Sequence, residues 1–147
     1  DAGFVVRRTY TAIDDPSDVT TLADGRIKVK LGARVLVRVQ AVASAARHAV
    51  AVTDPLPAGF EPVNTALANA ERGAPKATVD DSRWGFRALR DNRAEAFSMS
   101  LHEGTHQLSY TVRATTPGTF VAAPAKAEEM YSPETFGRSG GVTVVIE

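Results

Sequence analysis

At 147 residues the chain has the length of one ordinary domain, able to bury roughly 68–70% of the surface its unfolded form exposes. Its 17 lysines and arginines balance 17 aspartates and glutamates, so the basic footprint of a nucleic-acid binder is missing and no nucleic-acid partner is expected. There is no cysteine to act as a catalytic thiolate or metal ligand, and no apolar run of about 18 residues that would insert directly into a membrane.

Residues 1–4 (DAGF) do not resemble a signal peptide, and the chain reads as a piece of a larger protein. Residues 4–10 (FVVRRTY) form a first strand, stopped by the turn cluster Asp14-Asp15-Pro16-Ser17-Asp18. Residues 28–31 and 33–44 read as a second strand region interrupted at Gly32. There Val35, Val37, Val39 and Ala41 alternate against Arg34, Leu36, Arg38 and Gln40. Gly32 suits a bulge or kink, since no helix start follows it to receive a phosphate.

Residues 48–53 make a third strand, closed by Asp54-Pro55-Leu56-Pro57-Ala58-Gly59, whose prolines forbid helix and interrupt ladder pairing. Extended chain resumes over 60–63. Residues 65–80 alone have helix-friendly composition, but Gly73 and Pro75 reduce them to a long loop with at most a short helix. Residues 83–89 and 93–101 follow as strands around an Asp91-Asn92 turn. The second places Phe97, Met99 and Leu101 on one face and Ala96, Ser98 and Ser100 on the other. Trp84, the sole tryptophan, suits the core or its edge better than a sugar-stacking platform.

In the next strand Leu108, Tyr110, Val112 and Ala114 alternate with Gln107, Ser109, Thr111 and Arg113, the polar set facing water. Thr116-Pro117-Gly118 punctuates it, and residues 142–146 supply a β-branched final strand. Seven or eight short strands with regularly spaced turns indicate an all-β chain folded as an antiparallel β-sandwich.

His102-Glu103-Gly104-Thr105-His106 matches the H-E-x-x-H string of zinc peptidases. That chemistry needs a helix, where positions i and i+4 lie about 6 Å apart on one face. In one extended strand the two histidines would stand roughly 13 Å apart. A hairpin with Glu103-Gly104-Thr105 at its tip is the better reading, and it brings His102 and His106 near each other without a third ligand. Neither His48 nor Glu128 or Glu129 has a spacing that recommends it for that role. No G-x-S-x-G nucleophile elbow is present either. No catalytic, cofactor-binding or metal-binding residue is therefore assigned, and no enzyme is expected. Arg7, Arg8, Arg34 and Arg38 read as members of solvated strand faces rather than a basic patch.

Residues 127–134 (AEEMYSPE) read as a charged, proline-closed loop that pushes out Met130 and Tyr131 beside Glu128, Glu129 and Glu134. Two readings of this pair stay open: a loop folded back on its own sheet, or a contact with another domain.

Three stretches resemble the C-terminal macroglobulin domain of bacterial α2-macroglobulins: GFVVRRTY at 3–10, DPLPAGFE at 54–61 and the segment 110–139, with DNRAEAF at 91–97. Within the last, RATTPGTF at 113–120 and AEEMY at 127–131 are the most specific. The resemblance implies a fibronectin III-like macroglobulin sandwich, residues 1–147 being one C-terminal domain of a broad-spectrum protease-trapping inhibitor. It implies a periplasmic parent anchored to the inner membrane through its own N-terminus, with target proteases reached through that parent. It implies neighbouring macroglobulin and thioester domains as partners, no cofactor, and a loop over Glu128, Glu129, Met130 and Tyr131 that covers the thioester where one exists. An adhesive Ig-like module of a surface protein is the alternative from composition, and a zinc peptidase through His102, Glu103 and His106 the remote one.

Overall fold

Period-2 patterning governs a computed structural model that describes residues 2–63 and 84–147, where every regular element except the 3-10 turn Pro16–Asp18 is a strand. In chain order the strands are β1 (Phe4–Ala12), β2 (Val19–Thr21), β3 (Ile27–Val29), β4 (Arg34–Ala43), β5 (Arg47–Pro55), β6 (Phe60–Val63) and β7 (Phe86–Leu89). There follow β8 (Arg93–Leu101), β9 (Gly104–Ala114), β10 (Gly118–Ala122), β11 (Lys126–Glu129), β12 (Ser132–Arg138) and β13 (Val142–Ile146). Three sheets result, in the orders β1-β4-β9-β6, β10-β13-β3-β2 and β12-β11-β5-β8-β7. The ladders are antiparallel apart from β13 with β3. Residues 65–80, where a long loop with at most a short helix is expected, lie outside the described residues.

β4 is the spine of the core. Val35, Val37 and Val39 face inward at no more than 1% exposure, and each sits opposite another inward residue on β9: Val112, Tyr110 and Leu108. Burying such side chains contributes about 1.5–3 kcal/mol each. Phe4 and Val6 of β1, with Val50 and Val52 of β5, belong to the same apolar cluster. Trp84 packs on its edge, and its indole N–H donates to the Gln107 carbonyl at 3.0 Å.

The described residues hold thirteen strands in place of the expected seven or eight. Gly32 shows why. With φ 88° it makes a turn rather than a bulge or kink, so that β3 and β4, read as one interrupted region, lie in different sheets. β5 also runs on through Asp54 and Pro55, which pair with Ala94 and Arg93. In β8 Ala94, Ala96 and Ser98 face inward, leaving Phe97 half-buried and Met99 exposed on the outer face. Alternation thus holds through Met99 with the opposite face buried, and it breaks at the strand's end, where Ser100 is exposed and Leu101 is buried.

The 54–61 stretch ends in a close approach. A Cβ on Gly59 would come within 2.5 Å of the Phe120 ring and 2.6 Å of Ile146 Cδ1. Gly59→Ala is therefore expected to lower the unfolding free energy by about 1–3 kcal/mol, the usual cost of overpacking, measured by urea denaturation.

Candidate contact site at the 126–138 hairpin

The segment expected to be a loop is mostly ladder. Lys126, Ala127, Glu128 and Glu129 pair with Thr53, Val52, Ala51 and Val50 of β5, and Ala127 is fully buried. An apolar residue at 127 and a ready partner in β5 outweigh the charged composition. Met130 and Tyr131 form the turn between β11 and β12, held by the Met130 N–H donating to the Ala49 carbonyl at 2.8 Å. Both side chains project, 54% and 88% exposed.

Pairing with β12 is irregular. Glu129 faces Ser132 and Glu128 faces Phe136, so the register skips Pro133, Glu134 and Thr135. Pro133 has no N–H to give a ladder, and an interrupted outermost strand is a poor template for strand addition. Two of the three acids are engaged. Glu128 Oε2 lies 3.2 Å from Lys126 Nζ; Glu129 Oε2 accepts from the His48 backbone N–H at 2.9 Å, with Oε1 3.6 Å from Arg47 Nη1. Glu129 thus ties the end of β11 to the start of β5, and Glu134 is exposed.

The base of the hairpin is fixed by a buried cluster. Arg8 Nη1 donates to Asp54 Oδ1 and to the Ala123 carbonyl, each at 2.6 Å, and Nη2 donates to the Ala122 carbonyl at 3.3 Å and the Gly140 carbonyl at 3.5 Å. Residues 122 and 123 precede β11 and residue 140 follows β12. The Tyr110 hydroxyl donates to Asp54 Oδ2. Burial pushes the Asp54 carboxyl up from its ordinary range, and the Arg8 charge works against that shift. Burial likewise raises the hydroxyls of Tyr110 and Tyr10.

Arg8 is thus not on a solvated face: its side chain is 1% exposed and that of Asp54 is 0%. Arg34 departs from that expectation too, being 14% exposed and forked onto Asp14, whose carboxyl it holds below the ordinary range. Strand parity carried the missed signal for Arg8, which shares its face with Phe4 and Val6 while Val5 and Arg7 point outward.

His102 and His106 are neighbours, with ring centroids 4.6 Å apart. They do not face each other across a hairpin ladder, because β8 and β9 belong to different sheets and residues 102–103 turn the corner between them. Gly104, with φ 130°, begins β9. His106 is buried, and its Nε2 donates to the His102 carbonyl at 2.7 Å, so that nitrogen is not free to ligate a metal. His48 is exposed on β5, beside Glu129 through its backbone. Among the described residues no three His, Cys, Asp or Glu side chains converge on a metal position.

Residues 3–134 match the family model of the bacterial alpha-2-macroglobulin MG10 domain. The chain belongs to that family. An alpha-2-macroglobulin of Xylella fastidiosa is 33% identical over 97% of this chain and 9% of its own length. Circularly permutated Ras protein 2 of Dictyostelium discoideum is 34% identical over 98% of this chain and 4% of its own. The trypsin-activated alpha-2-macroglobulin of Escherichia coli superposes with a TM-score of 0.78 over all of this chain and 10% of that one, at 23% identity, a likeness of fold. The macroglobulin domain therefore spans a small fraction of each of these relatives.

Proposed function

We propose that residues 1–147 form one non-catalytic, C-terminal domain of a periplasmic, protease-trapping α2-macroglobulin, and that the Met130–Tyr131 tip packs on a neighbouring thioester domain. The observation that carries this reading is a pair of large apolar side chains, 54% and 88% exposed, on a turn whose backbone is tied down. Exposed loop tips are ordinarily small and polar. Here Glu129 and Ala49 hold the tip while Arg8 holds its base.

Met130 suits a cover over a reactive acyl bond, because a thioether fills an irregular apolar gap and excludes water without offering a competing nucleophile. Tyr131 adds area, and Glu128 and Glu129 shape the turn. An interface of this kind within one chain is modest and more polar than a permanent one, which suits release once a protease has cut the parent. Activation by trypsin, as in the Escherichia coli relative, fits such a release. In a thioester-bearing full-length parent, Met130→Ala is expected to speed spontaneous thioester hydrolysis, read as earlier appearance of a titratable thiol. An unchanged rate in that parent overturns the covering role.

A further inference from the structure

Phe86 of β7 sits directly opposite Phe97 of β8, and Phe97 opposite Ala51 of β5, so one row of outward residues crosses the five-stranded sheet. Beyond that row the ladder skips Ala49, buried and with φ 51°: His48 and Val50 pair with Ser100 and Ser98, which leaves Met99 beside it on β8, while the Met130 N–H donates to its carbonyl from the other side. Two strand spacings put the Met99 and Met130 backbones about 10 Å apart. Phe86 is 50% exposed, Met99 66%, Met130 54% and Tyr131 88%. Each of these four side chains is left at least half exposed among the described residues.

We infer that Phe86, Phe97, Met99, Met130 and Tyr131 form one continuous docking face for an apolar surface of a neighbouring domain in the same chain. This extends the reading of the tip given above and rests on it. The four exposed side chains offer about 500 Å², taking about 200 Å² for a fully exposed large side chain. A partner arriving from solution, or a second copy, needs about 800 Å² on each side for a stable complex. A tethered domain needs less, because its effective concentration is in the millimolar range. The relatives carry far more chain than this domain, which spans 9% of the Xylella protein. Of the three acids bordering the patch, Glu128 pairs with Lys126 and Glu129 with Arg47, and only Glu134 stands exposed at its margin, so an apolar partner rather than a basic one fits the surface.

The chain's two methionines, Met99 and Met130, are both on this face and report on it directly. Peroxide converts an accessible methionine to its sulfoxide, so site-resolved oxidation rates follow by peptide mass spectrometry in the full-length parent, native and in denaturant. A face undocked for about 10% of the time oxidises about tenfold more slowly than the denatured reference, and that protection is expected at both sites. Protection of Met130 alone overturns the continuous face and leaves the tip reading standing. Protection of Met99 alone, or of neither, overturns both. Protection that disappears on dilution assigns the face to a second copy and overturns the tethered partner.

Discussion

Asp54→Asn is expected to lower the unfolding free energy by about 3–5 kcal/mol, the cost of leaving one partner of a buried ion pair uncompensated. For a chain of this length that is a drop of about 10 °C in midpoint. Asp54 accepts from both Arg8 and Tyr110, and an amide retains only one oxygen to serve the two donors. Its NH₂ would face one of them. Arg8 would remain charged and 1% exposed, without its counterion. Denaturation of Glu95→Gln gives the comparison, since that carboxylate pairs with Arg90 and Arg93 at the surface, where loss costs up to about 1 kcal/mol. Equal losses in the two variants would show that the Arg8 cluster is not the buried clamp described.

Removing the pair as a unit separates two contributions. In Arg8→Met/Asp54→Leu no buried charge is left alone, and the exchange of a pair for apolar groups is by itself often neutral. The buried Tyr110 hydroxyl would still lose its acceptor, and the part-buried Ala122 carbonyl an Arg8 donor on the approach to β11, while the exposed Ala123 carbonyl can turn to water. An unsatisfied buried polar group costs about 1–3 kcal/mol, so the double variant is expected to stay below the parent. The clamp therefore acts on the position of the hairpin as well as on stability.

The legible parts of this fold are those in which one long strand pairs with another. Val35, Val37 and Val39 alternate with polar residues, and their β9 partners alternate in step, so the core reads directly from the pattern. Short strands such as β2, β3 and β11 hold three or four residues, too few for a period to stand out, and their existence depends on partners distant in the chain. β11 is strand because β5 offers it an edge. Composition misled at Asp54, where a proline-rich turn signature concealed a buried carboxylate at the end of β5. The exposed tip was legible as an excess of large apolar residues among acids. Its extension to Met99 was not, because two faces of different bulk do not by themselves reveal which one is buried.

The family match ends at residue 134, whereas the fold does not. A fragment ending at Glu134 is expected to show no cooperative urea transition, while 1–147 unfolds in one step, followed by circular dichroism. The fragment loses Phe136, Gly137 and Arg138, which pair with Glu128, Ala127 and Lys126, and so loses the regular part of the β11–β12 hairpin. It also loses β13, which lies between β10 and β3 and joins them into one sheet. Val144 and Ile146 are at most 1% exposed, each contributing about 1.5–3 kcal/mol by burial. Their removal would uncover Val29 and Ala122 as well, which pair beside β13 in that sheet. Together with the lost ladders this approaches the whole margin of about 5–15 kcal/mol by which domains are stable. Cooperative unfolding of the 1–134 fragment at the midpoint of the full chain would instead make β13 an appendage to a sandwich already complete without it.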